Sequence, residues 1–150
     1  MAFRVSLAIA MAVGSLHYVA GAGASAPAGG AQAASVWDGV YTAAQQNRGD
    51  GLYARECSTC HGETLKGGEG APALVGAAFV TDWSKGTLSD LFDKISQTMP
   101  APPEQPGKLS PQQNADVLAF VLSKNGFPSG AADLPVSADA LKRIRITAKR

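Results

Sequence analysis

Cys57, Cys60 and His61 sit inside the heptapeptide ECSTCHG, residues 56–62. They are the chain's two cysteines and, apart from His17 near the N-terminus, its one histidine. Thiols at i and i+3 with an imidazole at i+4 project from one side of a helical turn. That spacing suits one rigid ligand. In C-x-x-C-H the two thiols add to the vinyl groups of a porphyrin as thioethers, and the adjacent imidazole is brought beneath the iron. The alternatives are a thioredoxin-like dithiol, a zinc site and a structural disulfide. The first needs a βαβ setting, and nothing before Cys57 reads as a strand. The second needs about four ligands, and the chain offers no second cysteine pair. The third closes too short a loop to stabilise much, and it leaves His61 unexplained.

Haem iron in electron carriers takes a second strong ligand, such as Met or His. With Met1 and Met11 in an N-terminal segment expected to be removed, Met99 is the remaining methionine. It lies 38 residues after His61, in the proline-stiffened segment TMPAPPEQPGK, residues 98–108. Four prolines there oppose a helix and favour an extended path. The competing reading of Met99 is ordinary core filling.

Other elements must hold these groups. Gly49, Tyr53 and Cys57 recur every four residues beside Leu52, which predicts one stripe of a helix leading into the motif. Gly49 lowers helix propensity, so it is expected to serve close approach to another backbone. Residues 62–86 contain six glycines and Pro72 and read as a long loop wrapped around something. Thr87 and Asp90 open a short helix with Leu88, Leu91, Phe92 and Ile95 on its apolar side. Ser110, Pro111, Gln113 and a terminal Gly126 bracket the last helix, whose apolar set is Val117, Leu118, Phe120, Val121 and Leu122. The IRIT alternation at 144–147 is read as a frayed end rather than a strand. About 100 ordered residues with so much loop make a marginal core, one that gains from a large apolar object inside it.

The N-terminus reads as an export signal: Arg4, an apolar run from Val5 to about Ala22, then small residues with A-x-A sites, cleavage being placed after Ala33. An uncleaved anchor is the minority reading, because Gly14, Ser15 and His17 interrupt a run already at the lower limit for a span. Residues 1–33 are thus signal and low-complexity linker, 36–135 the domain, and 136–150 a basic tail. Residues 34–141 carry seven basic against twelve acidic side chains, while five basic residues crowd positions 142–150. Basic residues at one terminus, without interleaved aromatics, argue against nucleic acid.

The sequence resembles the class I cytochromes c, through CSTCHG (57–62), APAL (71–74), TMP (98–100) and ADVLAFVLSKNGFPSG (115–130). The resemblance implies an all-α cytochrome c fold, three to five helices with long loops around one covalently bound haem c. It implies that the helix ending at Cys57 crosses the last helix, with Gly49 and Tyr53 near Phe120. It further implies that the Pro72 carbonyl receives the His61 Nδ1 hydrogen bond and that Trp83 lies near a haem propionate. Leu65, Leu74, Val75, Phe79, Leu91, Ile95, Leu118 and Leu122 are the expected apolar shell.

With His61 and Met99 both on iron there is no open position for a substrate. The function that follows is a periplasmic electron carrier rather than an enzyme. It would meet a donor and an acceptor (a dehydrogenase, an oxidase or another cytochrome) in transient contacts, as a monomer or in a short-lived complex, with no membrane span after processing. The alternatives are a haem enzyme or gas-binding module with an open sixth site, and a subunit using haem only as a folding staple.

Overall fold

The computed structural model describes residues 35–68 and 70–148. The expected signal and linker, and the last two basic residues, lie outside the described residues. Thr42 starts the helix that leads into the motif: its hydroxyl accepts the Gln45 N–H at 3.0 Å, and α1 runs over Ala43–Glu56. Cys57 interrupts helical geometry (φ −129°, ψ −33°), and a single turn, α2 (Ser58–His61), follows at once. The remaining helices are α3 (Ala77–Trp83), α4 (Leu88–Thr98), α5 (Pro111–Lys124) and the short α6 (Ala138–Leu141). A 3-10 turn, Val36–Asp38, precedes them. Among the described residues there are isolated bridges but no strand, so the fold is all-α, as expected.

α5 follows its capping signals closely. Ser110 Oγ accepts the Gln113 N–H at 3.2 Å, and Gln113 Oε1 accepts the Ser110 N–H at 2.9 Å. At the other end Gly126 takes φ +78°, where a side chain is disfavoured. Its N–H then reaches Ser123 O, and the Phe127 N–H reaches Leu122 O, closing the carbonyls that the helix leaves open. From Asn114 to Leu122 every residue of α5 is buried.

The crossing of α1 and α5 rests on Gly49, which lies directly against the Asp116 backbone. Beside it Tyr53 and Phe120 stack with ring centroids 5.1 Å apart. Arg48 clamps the same crossing: Nε and Nη2 reach the Asp116 carboxylate at 3.0 and 3.1 Å, and Nη2 reaches Asp133 at 2.7 Å. Asp116 is buried, so its charge is tolerable only because Arg48 and Gln112 donate to it.

Two expectations are corrected. Residues 62–86 are not loop throughout, because Phe79 buries against the core and α3 forms around it with Val80 and Trp83 on the same side. The 144–147 segment does not fray. Ile146 is fully buried and Ile144 nearly so; the Ile144 and Arg145 carbonyls accept the Leu88 and Val36 N–H groups at 2.9 and 3.0 Å. Trp37 Nε1 donates to Thr147 O at 2.9 Å and lays its ring edge on Phe127. The partners are Val36, in the 3-10 turn, and Leu88, the first residue of α4, and neither pairing is local in sequence.

α4 opens as its sequence predicts. The Asp90 carboxylate accepts from the Thr87 N–H at 2.7 Å and from the Thr87 hydroxyl at 2.9 Å. The Thr87 backbone bond first, and then the hydroxyl, hold the Asp90 carboxyl below its ordinary value of 3.8. A depressed folded-state value means that this contribution is present in full above about pH 4 and is lost as the pH falls below that. Asp90→Asn is therefore expected to flatten the acid limb of a stability-versus-pH curve, measured as urea midpoints between about pH 5 and pH 2. An unchanged slope would show that this cap contributes nothing.

Candidate functional site

α1 and α2 place the motif at the wall of a cavity of about 570 Å³. The turn is tight: the Cys60 and His61 N–H groups both reach the Cys57 carbonyl, at 3.2 and 2.9 Å. Cys57, Cys60 and His61 consequently line the same cavity, although Cys57 itself is not in a continuous helix. Cys57 is half-buried and Cys60 exposed. Burial, reinforced by the neighbouring Glu56 charge, pushes the Cys57 thiol up to about 11. The thiol is protonated at neutral pH and is a poor spontaneous nucleophile.

His61 is buried, 8% exposed, and its Nδ1 lies 2.8 Å from the Pro72 carbonyl. A carbonyl only accepts, so Nδ1 is the ring nitrogen that donates here and Nε2 is the one left to coordinate. This is the contact expected from the sequence, and its construction depends on the loop between the two residues. Gly67 takes φ +80° with its N–H on His61 O at 2.9 Å, and a Cβ there would lie 2.6 Å from Ala71 O and 2.9 Å from Pro72 C. Only glycine lets the loop fold back closely enough to bring Pro72 over the imidazole. Leu65 also has positive φ, +60°, and is buried beneath the loop, where its carbonyl receives the Leu74 N–H at 2.8 Å. Tyr53 fixes the other side by donating from its hydroxyl to Gly62 O at 2.6 Å; burial pushes its phenol up to about 12.

Met99 is the C-cap residue of α4 and lines the cavity. Its N–H is held by Ile95 O and its carbonyl by the Gly107 N–H, both at 3.1 Å, so the segment 99–107 is closed at its base. Trp83, half-buried at the end of α3, lines the cavity together with Asp82. All six residues singled out by sequence (Cys57, Cys60, His61, Pro72, Trp83 and Met99) therefore border one space.

The apolar walls differ in part from expectation. Leu74, Phe79, Leu91 and Ile95 line the cavity, but Leu65, Val75, Leu118 and Leu122 do not, and α5 presents Val117 and Val121 instead. The helical phase explains it. Asp116 and Phe120 face Gly49 on α1, so the residues one position on, i and i+4 to each other, turn toward the cavity. Charged side chains at the cavity, Arg55, Glu56, Lys94 and Glu104, had no signal in sequence. No group of three or more His, Cys, Asp or Glu side chains among the described residues is arranged to hold a metal ion by itself.

A family model described as "Cytochrome C oxidase, cbb3-type, subunit III" matches residues 44–121, which span α1 to α5 and contain the motif, Pro72 and Met99. The chain belongs to this family of c-type cytochromes. Membership brings a c-type haem and electron transfer with it. The cytochrome is also similar in fold to a chain in the crystal structure of the sulfane dehydrogenase SoxCD from Paracoccus pantotrophus. TM-score is 0.51 and identity 23%, over 73% of the cytochrome and 61% of that chain. At that identity the likeness is one of fold, and the cytochrome spans less than two thirds of that chain's length. No curated protein matches it. Among the described residues no helix of the cytochrome is long and apolar enough to cross a membrane.

Proposed function

We propose that this cytochrome is an exported single-electron carrier holding one haem covalently through Cys57 and Cys60, with His61 and Met99 as axial ligands. The observation that carries the reading is chemical convergence: two thiols, an imidazole with its Nδ1 already engaged, and a thioether border one apolar-walled cavity. The donor set fits a porphyrin, and about 570 Å³ is within the roughly 300–1,000 Å³ usual for such sites. When bound, the haem supplies a one-electron couple between ferrous and ferric iron. Pro72 orients His61 and makes it a stronger donor by accepting its proton-bearing nitrogen. The walls from Leu74, Phe79, Val117 and Val121 exclude water, and together with a thioether ligand they favour the ferrous state. Trp83 is read as the residue beside a propionate. A cofactor ligated on both faces has no place for substrate, which separates a carrier from an enzyme. A dehydrogenase-type donor agrees with the fold likeness to a chain of a sulfane dehydrogenase, and the N-terminal run read as an export signal agrees with a periplasmic setting.

The ferric spectrum of the purified protein tests the ligand set. The expected result is the charge-transfer band of Met-ligated iron, lost in Met99→Leu, with the fold retained. The potential should fall by a sizeable part of the roughly 0.8 V that axial ligands control. Resting protein that lacks the band and binds cyanide or carbon monoxide at once would support the open-site reading instead.

A further inference from the structure

Residues 101–108, which continue from Met99, are all exposed, and among the described residues the polar ties of 101–106 are those of Glu104 to Lys108. Lys108 Nζ lies 2.6 Å from Glu56 Oε2 and 3.5 Å from Glu104 Oε2. Glu56 is the residue immediately before Cys57, at the end of α1, and both glutamates line the cavity. Lys108 follows Gly107, whose N–H holds the Met99 carbonyl. One ammonium group thus joins the end of the segment that begins at Met99 to the helix end that carries the first thiol. The side chains of Lys108 and Glu56 keep 31% and 22% of their surface in solvent, so the pair is short but still open to screening by salt. With so few apolar anchors beyond the buried Pro100, the segment has little else to hold its outer part against this wall.

We propose that Lys108 is a positioning residue for Met99: its bridge from Glu56 to Glu104 ties down the 99–108 segment across the cavity and keeps the thioether seated. This rests on the reading of Met99 as an axial ligand. Lys108 touches no reacting atom, and its effect should show in how readily Met99 is displaced rather than in whether the protein folds.

The test is the rate at which imidazole enters ferric holoprotein, followed by loss of the Met-ligation band, in the parent, Lys108→Gln, Glu56→Gln and the double variant. Entry should accelerate about tenfold in Glu56→Gln, as loss of one charge-assisted contact implies, and at least as much in Lys108→Gln, which also loses Glu104, with the double variant no faster than Lys108→Gln. The parent should also speed up in high salt, while Lys108→Gln should not. Thermal midpoints should shift far less than the entry rate does. Unchanged entry in Lys108→Gln, or single effects that simply add in the double variant, would overturn the bridge while leaving Met99 ligation intact. A parent with no Met-ligation band would instead overturn the ligand reading, and the proposal with it.

Discussion

Changing Cys57 and Cys60 together to alanine is expected to leave a protein whose haem passes entirely into acidified acetone, where the parent keeps its colour in the protein fraction. The two cysteines lie on one turn, the Cys60 N–H on the Cys57 carbonyl, and line the cavity with His61. Without them the cofactor is held by coordination and apolar contact alone, both of which acid and solvent remove. The loss should extend to stability. Leu74, Phe79, Leu91, Ile95, Val117 and Val121 would face a water-accessible cavity of about 570 Å³ once the group is gone, and a ligand bound only to the folded state stabilises it by mass action. A one-domain chain of 150 residues loses roughly 2–4 °C in midpoint for each kcal/mol, so thermal unfolding should move down by about ten degrees or more in the extracted variant. Colour retained in the protein fraction of the double variant would remove the covalent proposal.

Gly49→Val should be the most damaging substitution away from the cavity. A Cβ at position 49 would lie 1.9 Å from Asp116 O, 2.6 Å from Asp116 C and 2.9 Å from Phe120 Cβ. Two of those atoms are backbone, and Asp116 is held by Arg48 and Gln112, so the contact cannot be relieved by turning a side chain. The helices must separate, which opens the Tyr53–Phe120 stack and moves the Val117–Val121 wall. Overpacking of this kind costs about 3 kcal/mol, outweighing the roughly 0.4 kcal/mol of helix propensity that valine gains over glycine. Gly51, two residues on, provides the control. Its nearest neighbour is Arg55 Nη1 at 3.5 Å, so Gly51→Ala should be neutral or stabilising by up to about 1 kcal/mol. Denaturant midpoints of the two variants decide the matter. Equal effects at 49 and 51 would mean that propensity, not the helix crossing, governs this position.

The chemistry was legible in the sequence because it is local. Cys57, Cys60 and His61 are brought together by one turn, whatever surrounds them, and the caps at Thr87 and Ser110 and the Gly126 stop act over three or four residues. The scarcity of methionine named Met99 without any geometry. Gly49 was read as a point of close approach, and the family resemblance named the Phe120 region opposite it, though not the Asp116 backbone that it meets. Three things needed the tertiary structure. The phase of α5 is set by its crossing with α1, so Val117 and Val121, and not Leu118 and Leu122, face the cavity. The 144–147 segment is ordered by carbonyls that meet N–H groups of Val36 and Leu88, more than 50 residues away in the sequence. The Lys108–Glu56 bridge joins residues 52 apart. Local rules concern a residue and its turn; burial and pairing depend on which distant surface arrives, and only the packed chain decides that.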